Sequence, residues 1–254
     1  MNPWIADIAA FRQSHTPPPN AAAHEAPGSE SEAYAIQDAV IRRLGWPVAG
    51  WKVGATDGPS RDRLGLSRAF VGAIFSERLY RSPAALALPP GLELKLECEL
   101  GVAFQETYRA GSPPPDVAEL CGQLASLHFV LELVSTVWNG MGAMDGFKIV
   151  ADNGGCEGLV LGGRIDDIDA FFSERPPLRI LSAGAPPRSH ELAKSLDDVL
   201  EAARQAMANV LERGHDLPAG TLFATGHLCG FIPLADRERL TFTLGSFAEA
   251  SVGR

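Results

Sequence analysis

Gly91–Phe104, GLELKLECELGVAF, decides how the rest of the chain is read. Side chains alternate across a strand. On a strand, Glu93, Lys95, Glu97 and Glu99 share one face, and Leu94, Leu96, Cys98 and Leu100 share the other. The leucine face reads as core, so this strand belongs to the body of a folded domain. The charged face has two readings. One is a solvated sheet surface. The other is a cation site, because side chains at i and i+2 lie roughly 6.5–7 Å apart along a strand. Carboxylates so placed repel one another unless a cation joins them. Oxygen ligands suit a hard ion such as magnesium.

Working outward, 49–54, 128–135, 158–162, 221–226 and 240–244 read as further strands, punctuated by Gly and Pro. One long helix interrupts them: Leu192, Leu196, Val199, Leu200, Ala203, Met207, Val210 and Leu211 recur at helical spacing, and Gly214 supplies the stop. Residues 116–127 predict another helix. At the N-terminus, residues 4–12 predict a short amphipathic helix. Three prolines exclude a helix in SHTPPPNAAAHEAPG, which reads as a linker or covering loop. Ser29 and Glu32 have capping-box spacing, Ile36, Val40, Ile41 and Leu44 share a face, and Gly45 ends the helix. There is no regular βαβ alternation, no GxGxxG and no P-loop. The expectation is an α+β protein, with a helical region over 1–45 and a β-rich body over 46–254.

The chain has 254 residues and 22 basic against 31 acidic side chains, a formal charge of −9. That balance disfavours a nonspecific nucleic-acid binder. No apolar run reaches the ~18 residues of a membrane span, and MNPWIADIAAFR lacks the pattern of a signal peptide. A cytoplasmic location is expected. Cys98, Cys121, Cys156 and Cys229 have no metal-ligand spacing and read as reduced, buried thiols.

Three more features stand out. Glu132 is a lone acid in the apolar run HFVLELV, where an unpartnered carboxylate is costly. It reads as a third metal ligand, a surface position or half of a salt bridge. Lys52, in GWKVG, reads as a snorkelling lysine or as one aimed into a cleft to hold an anion or move a proton. Trp51 beside it is the tryptophan expected near a site. Ala151–Gly155, ADNGG, is a turn signal on its own. His128 reads as a packing residue, and His190 and His215 as surface residues.

Together these segments resemble the fumarylacetoacetate hydrolase superfamily, and within it the 2-keto-4-pentenoate hydratase and 4-oxalocrotonate decarboxylase branch. The matching stretches are Ala33–Gln37 (AYAIQ), Gly50–Gly54 (GWKVG), Leu96–Phe104 (LECELGVAF), Leu131–Val134 (LELV), Ala151–Asn153 (ADN), LPAGTLFATG and the late LGSF. The resemblance implies a mixed, barrel-like β-roll with flanking helices. It implies Mg²⁺ or Mn²⁺ held by Glu97, Glu99 and Glu132, with Lys52 as the active-site lysine. Asp152 and His227 join Lys52 as catalytic candidates, and Lys52, Asn153, Thr225 and Gly226 are candidates for binding substrate. The implied substrate is a small 2-oxo or 2-hydroxy-dienoic acid from aromatic-ring cleavage, reacting through a metal-stabilised enolate. Hydration is placed first. Decarboxylation of a 2-oxo-3-enedioate, C–C hydrolysis of an acylpyruvate using His24 and Glu25, and a catalytically silent relative are the alternatives. A homo-oligomer is also implied. The chain departs from the pattern at Gly154-Gly155-Cys156, where a small residue and then two serines are usual, at Ser135-Thr136 in place of Asp-Ser, and at His227, where a small residue is usual.

Overall fold

The computed structural model describes residues 2–19, 24–138, 145–236 and 238–254. Residues 20–23 of the proline-rich stretch lie outside the described residues. Seven helices and thirteen strands are found among those described. The helices are α1 Pro3–Ser14, α2 Glu30–Leu44, α3 Gly58–Leu64, α4 Val117–Gly122, α5 Gly146–Ala151, α6 Ile168–Glu174 and α7 Leu196–Glu212. The strands are β1 Val48–Gly54, β2 Phe70–Phe75, β3 Leu79–Arg81, β4 Ala84–Ala85, β5 Lys95–Phe104, β6 Leu124–Val134 and β7 Cys156–Arg164. They continue with β8 Leu178–Ser182, β9 Arg188–His190, β10 Leu222–His227, β11 Ile232–Pro233, β12 Arg239–Leu244 and β13 Ala248–Gly253.

The larger sheet runs β2-β1-β10-β5-β6-β7-β3, with β11 added to β5. It is mixed: β1 and β10 are parallel, while β5 pairs antiparallel with both β10 and β6. The second sheet, β4-β13-β12-β8-β9, packs β13 across β6 and β7. The fold is therefore α+β, with a curled, half-barrel sheet. β2 approaches β7 across the curl. Asn153 fastens that closure: its Oδ1 accepts from Ala73 N at 2.6 Å, and its Nδ2 donates to Ala73 O at 2.9 Å.

Register sorts the two faces of the large sheet. Glu97 lies opposite Glu132, Glu99 opposite Val130, Lys52 opposite both Gly72 and Ala224, and Ile74 opposite Gly50. Directly paired residues point to the same side. The concave face thus carries Ile74, Val130, Leu159, Leu222 and Ala224 as a small apolar cluster, and Lys52, Glu97, Glu99 and Glu132 beyond it. The convex face carries Trp51, Leu96, Cys98, Leu100 and Phe223, part of the main core. α7 covers that side. Its capping box uses Ser195 and Asp198, so the helix starts at Leu196 and Leu192 is buried ahead of it.

α1 and α2 contribute Trp4, Ile8, Phe11, Ile36 and Val40 to the same core. Each such side chain is worth about 1.5–3 kcal/mol on burial. Ser29 caps α2 by accepting from Glu32 N, but Glu32 Oε2 reaches Gly28 N instead of Ser29.

Some expectations needed correction. The helix over 116–127 stops at Gly122, because Leu124–Leu127 is drawn into pairing with β5. Cys121 is exposed, whereas the other three thiols are buried. Trp51 points to the convex side, against His215 at 5.2 Å between ring centroids, and away from the lysine next to it. His215 is no free surface residue, since it also meets Asp38 at 3.0 Å.

Candidate metal and substrate site

The concave face opens into a cavity of about 890 Å³ whose walls include Lys52, Glu97, Glu99, Gly226 and His227. That size suits a small ligand. Glu97 and Glu99 come from β5 and Glu132 from β6, and one carboxylate oxygen of each lies within 4.8 Å of the others. The solvated-surface reading of this strand is thereby corrected: Glu99 and Glu132 are each 1% exposed.

Lys52 is tied down from two sides. Its Nζ donates to Gly154 O at 2.8 Å, lies 3.2 Å from Glu132 Oε1 and sits over the Phe70 ring. Burial alone would lower its pKa, but Glu132 and Glu97 outweigh it and hold the ammonium above its usual value. The carboxylates respond in the other direction. Burial pushes Glu132 up to about 7 against the pull of Lys52. Burial also raises Glu97, and raises Glu99 well above the usual range, aided there by repulsion from Glu132 and Glu97. Among the described residues neither oxygen of Glu132 accepts a hydrogen bond, and the Lys52 ion pair meets it. A buried carboxylate so poorly satisfied, converging with two others, fits the role of a ligand to a divalent ion.

β10 carries a β-bulge where it passes Glu99. Ala224 lies opposite Gly101, but His227 lies opposite Glu99, so three steps on β10 match two on β5. The bulge frees Gly226 N to donate to Glu99 Oε2 at 2.9 Å. The Thr225 and Gly226 carbonyls receive Lys194 Nζ. Lys194 lines the cavity and was not signalled by the sequence patterns. Only its place directly before the α7 cap could have hinted at it.

The structure does not bring every candidate to the cavity. Thr225 is fully buried, and its hydroxyl donates to Leu100 O at 2.8 Å. Asn153 is spent on closing the curl, as described above. Asp152 lies behind the cavity, where Oδ1 accepts from Arg12 at 2.7 Å and Oδ2 from Val137 N at 2.9 Å. Burial pushes its pKa up to about 6 against the pull of Arg12. Arg12 also reaches Asp152 O, Ser135 O and Glu157 Oε2, and is 2% exposed. Nothing in the local sequence marked it, because its partners are more than 120 residues away. His227 does line the cavity, and burial and then Lys194 hold its ring below the usual pKa.

The turn after Asp152 makes room for the lysine. Gly154 has φ +66°, and a Cβ there would lie 2.4 Å from Lys52 Cε and 2.8 Å from its Nζ. The lysine needs the space that a side chain would fill. Gly154→Ala is expected to displace the ammonium and lower turnover at least tenfold. An unchanged rate in a folded variant would contradict that role.

No protein-family model and no curated protein matches the sequence. Solved structures do. The 4-oxalocrotonate decarboxylase of Pseudomonas putida G7, complexed with magnesium and adipate, superposes with a TM-score of 0.76 at 16% identity, over 100% of this chain and 98% of that one. Its complex with calcium and acetate gives 0.74 at 17% identity over the same shares. Fumarylpyruvate hydrolase from Pseudomonas aeruginosa, in complex with Mn²⁺ and pyruvate, gives 0.56 at 14% identity, over 82% of this chain and 90% of that one. The chain therefore has the fold of 4-oxalocrotonate decarboxylase and of fumarylpyruvate hydrolase, the fold that the resemblance of its motifs implied.

Proposed function

We propose that the protein is a divalent-metal-dependent lyase that acts on a small 2-oxo acid, and that it decarboxylates a 2-oxo-3-enedioate. The observation that carries this reading is the convergence of Glu97, Glu99 and Glu132 around buried, poorly satisfied oxygens beside the ammonium of Lys52. Those three side chains would hold Mg²⁺ or Mn²⁺, which supplies Lewis-acid stabilisation of negative charge developing at the C2 oxygen. In the metal-free protein the carboxylates around Lys52 hold its pKa above the usual value. Its Nζ stands as a positive charge and a hydrogen-bond donor at the cavity wall. Phe70 packs on its ammonium and limits water there. Arg63 and His227 lie on the exposed wall of the same cavity, where a second carboxylate can meet them.

Hydration, which the sequence reading puts first, uses the same residues and differs only in adding water to the conjugated chain. The Arg63 and His227 wall and the full-length likeness to a decarboxylase favour loss of CO₂. The acylpyruvate hydrolase reading loses support, because His24 is engaged by Asp7 Oδ2 at 2.6 Å and does not line the cavity. No helix among the described residues is long and apolar enough to cross a membrane. An origin of the substrate in aromatic-ring cleavage and a homo-oligomeric state are part of the proposal.

The test uses metal-stripped protein with 2-oxohex-3-enedioate and with 2-hydroxypenta-2,4-dienoate, with and without Mg²⁺ or Mn²⁺. Glu97→Gln is the control. Metal-dependent CO₂ release from the diacid, lost in the variant, is expected. Metal-dependent consumption of the dienoate without CO₂ release would move the assignment to a hydratase. A protein that binds neither ion would overturn the enzyme reading.

A further inference from the structure

Lys194 is the one lysine besides Lys52 that lines the cavity among the described residues. It stands in the segment just ahead of α7, and its Nζ donates to Thr225 O at 2.6 Å and to Gly226 O. The same glycine gives its N–H to Glu99. Gly226 therefore binds Glu99 through its nitrogen and an ammonium through its carbonyl. Its φ of +83° and the 3.2 Å between an added Cβ and Lys194 Nζ leave that place to glycine. The bulge at Thr225–Gly226 is what turns both carbonyls toward the lysine.

An ammonium has three N–H bonds. Two are used on the carbonyls, which leaves one for the cavity. A positive charge next to Glu99 opposes a divalent cation at the carboxylates. Its presence is useful to the site if it meets negative charge on a ligand. We propose that Lys194 is a substrate-binding residue, which hydrogen-bonds the anionic head of the bound acid and so selects carboxylate ligands. The inference rests on the reading of this site as one for a metal and a 2-oxo acid. The competing role is structural: a lysine that merely caps two carbonyls of the bulge.

These roles differ in what removal does. If Lys194 serves the ligand, its loss weakens anion binding and leaves metal binding equal or tighter, because a repelling charge is gone. If it serves the bulge, loss distorts the Gly226–Glu99 contact and weakens metal binding. The experiment is calorimetric titration of the full chain with Mg²⁺ alone, then with oxalate at saturating Mg²⁺. It compares wild type, Lys194→Met and Lys194→Gln. Glutamine keeps a donor for the carbonyls and removes the charge. A loss of about 10–100-fold in oxalate affinity is expected, the range of one charge-assisted hydrogen bond, with Mg²⁺ affinity undiminished. Oxalate affinity unchanged in both variants overturns the proposal, as does a parallel fall in Mg²⁺ affinity. Loss of folding in both variants assigns Lys194 to the bulge and overturns it too. A wild type that binds no Mg²⁺ instead overturns the reading of the site itself, and this inference with it.

Discussion

Glu99→Gln is expected to lower kcat/KM by about 10³-fold or more, the scale of losing several kcal/mol of Lewis-acid stabilisation, while making the metal-free protein more stable. The two effects have one cause. Glu99 is buried and faces two other carboxylates, so its ionised form is disfavoured until a cation arrives. Glutamine has nearly the same shape and still accepts from Gly226 N, but it carries no charge for an ion. The pH dependence follows with a definite sign. A carboxyl whose folded pKa is raised binds its proton more tightly in the native state than in the unfolded one. Its stabilising protonation is complete below the unfolded value near 4.5 and is lost as pH rises through the folded value, which for Glu132 is about 7. Metal-free wild type should therefore lose stability between those limits, and Mg²⁺ should restore it most at the upper one. Thermal melts with chelator and with Mg²⁺, across that range, check both claims. A metal-free Glu99→Gln protein less stable than wild type at pH 7–8 would contradict the account.

Arg12→Met is expected to cost about 3–5 kcal/mol, because it leaves buried carboxylates without their guanidinium. For a chain of this size that is a fall in Tm of roughly 6–20 °C. Arg12 alone bridges Asp152, Glu157 and Ser135 O, and all three partners are buried. Glu157 keeps His15 at 2.7 Å and Arg78 at 3.6 Å, whereas among the described residues the Asp152 side chain keeps only the Val137 amide. Asp152→Asn added to Arg12→Met should recover part of the loss, since the stranded charge is then removed. The site should suffer as well. Asp152 begins the turn through Gly154, and the Gly154 carbonyl holds Lys52. Turnover in Arg12→Met is expected to fall with kcat more than with KM. A stable Arg12→Met protein, or a double variant no better than the single one, would show that the network is not holding the turn.

The sequence by itself determined six of the strands, the two ends of α2 and the carboxylate pattern. Alternation in 95–104 separated Glu97 and Glu99 from the leucine face, and the apolar setting of Glu132 and Lys52 marked both as costly to bury. Local rules suffice there, because a strand's period and a helix's cap are set by residues within a few positions of each other. The all-buried strand Phe70–Phe75 and the early stop of α4 were not legible, because pairing with distant strands decided them. The roles of Asp152, Asn153 and Thr225 also turned on tertiary structure. Each of these side chains is a plausible ligand group in isolation, but Arg12, Ala73 and Leu100 claim them in the fold. Arg12 carried no local signal, and Lys194 only its place before the α7 cap. Arg12 and its partners lie more than 120 residues apart, and Lys194 lies about 30 from its own. Such contacts exist only once the sheet has curled and the helices have packed on it. The chain's own periodicity could specify which faces are buried, but only the closed sheet could specify which polar groups meet inside it.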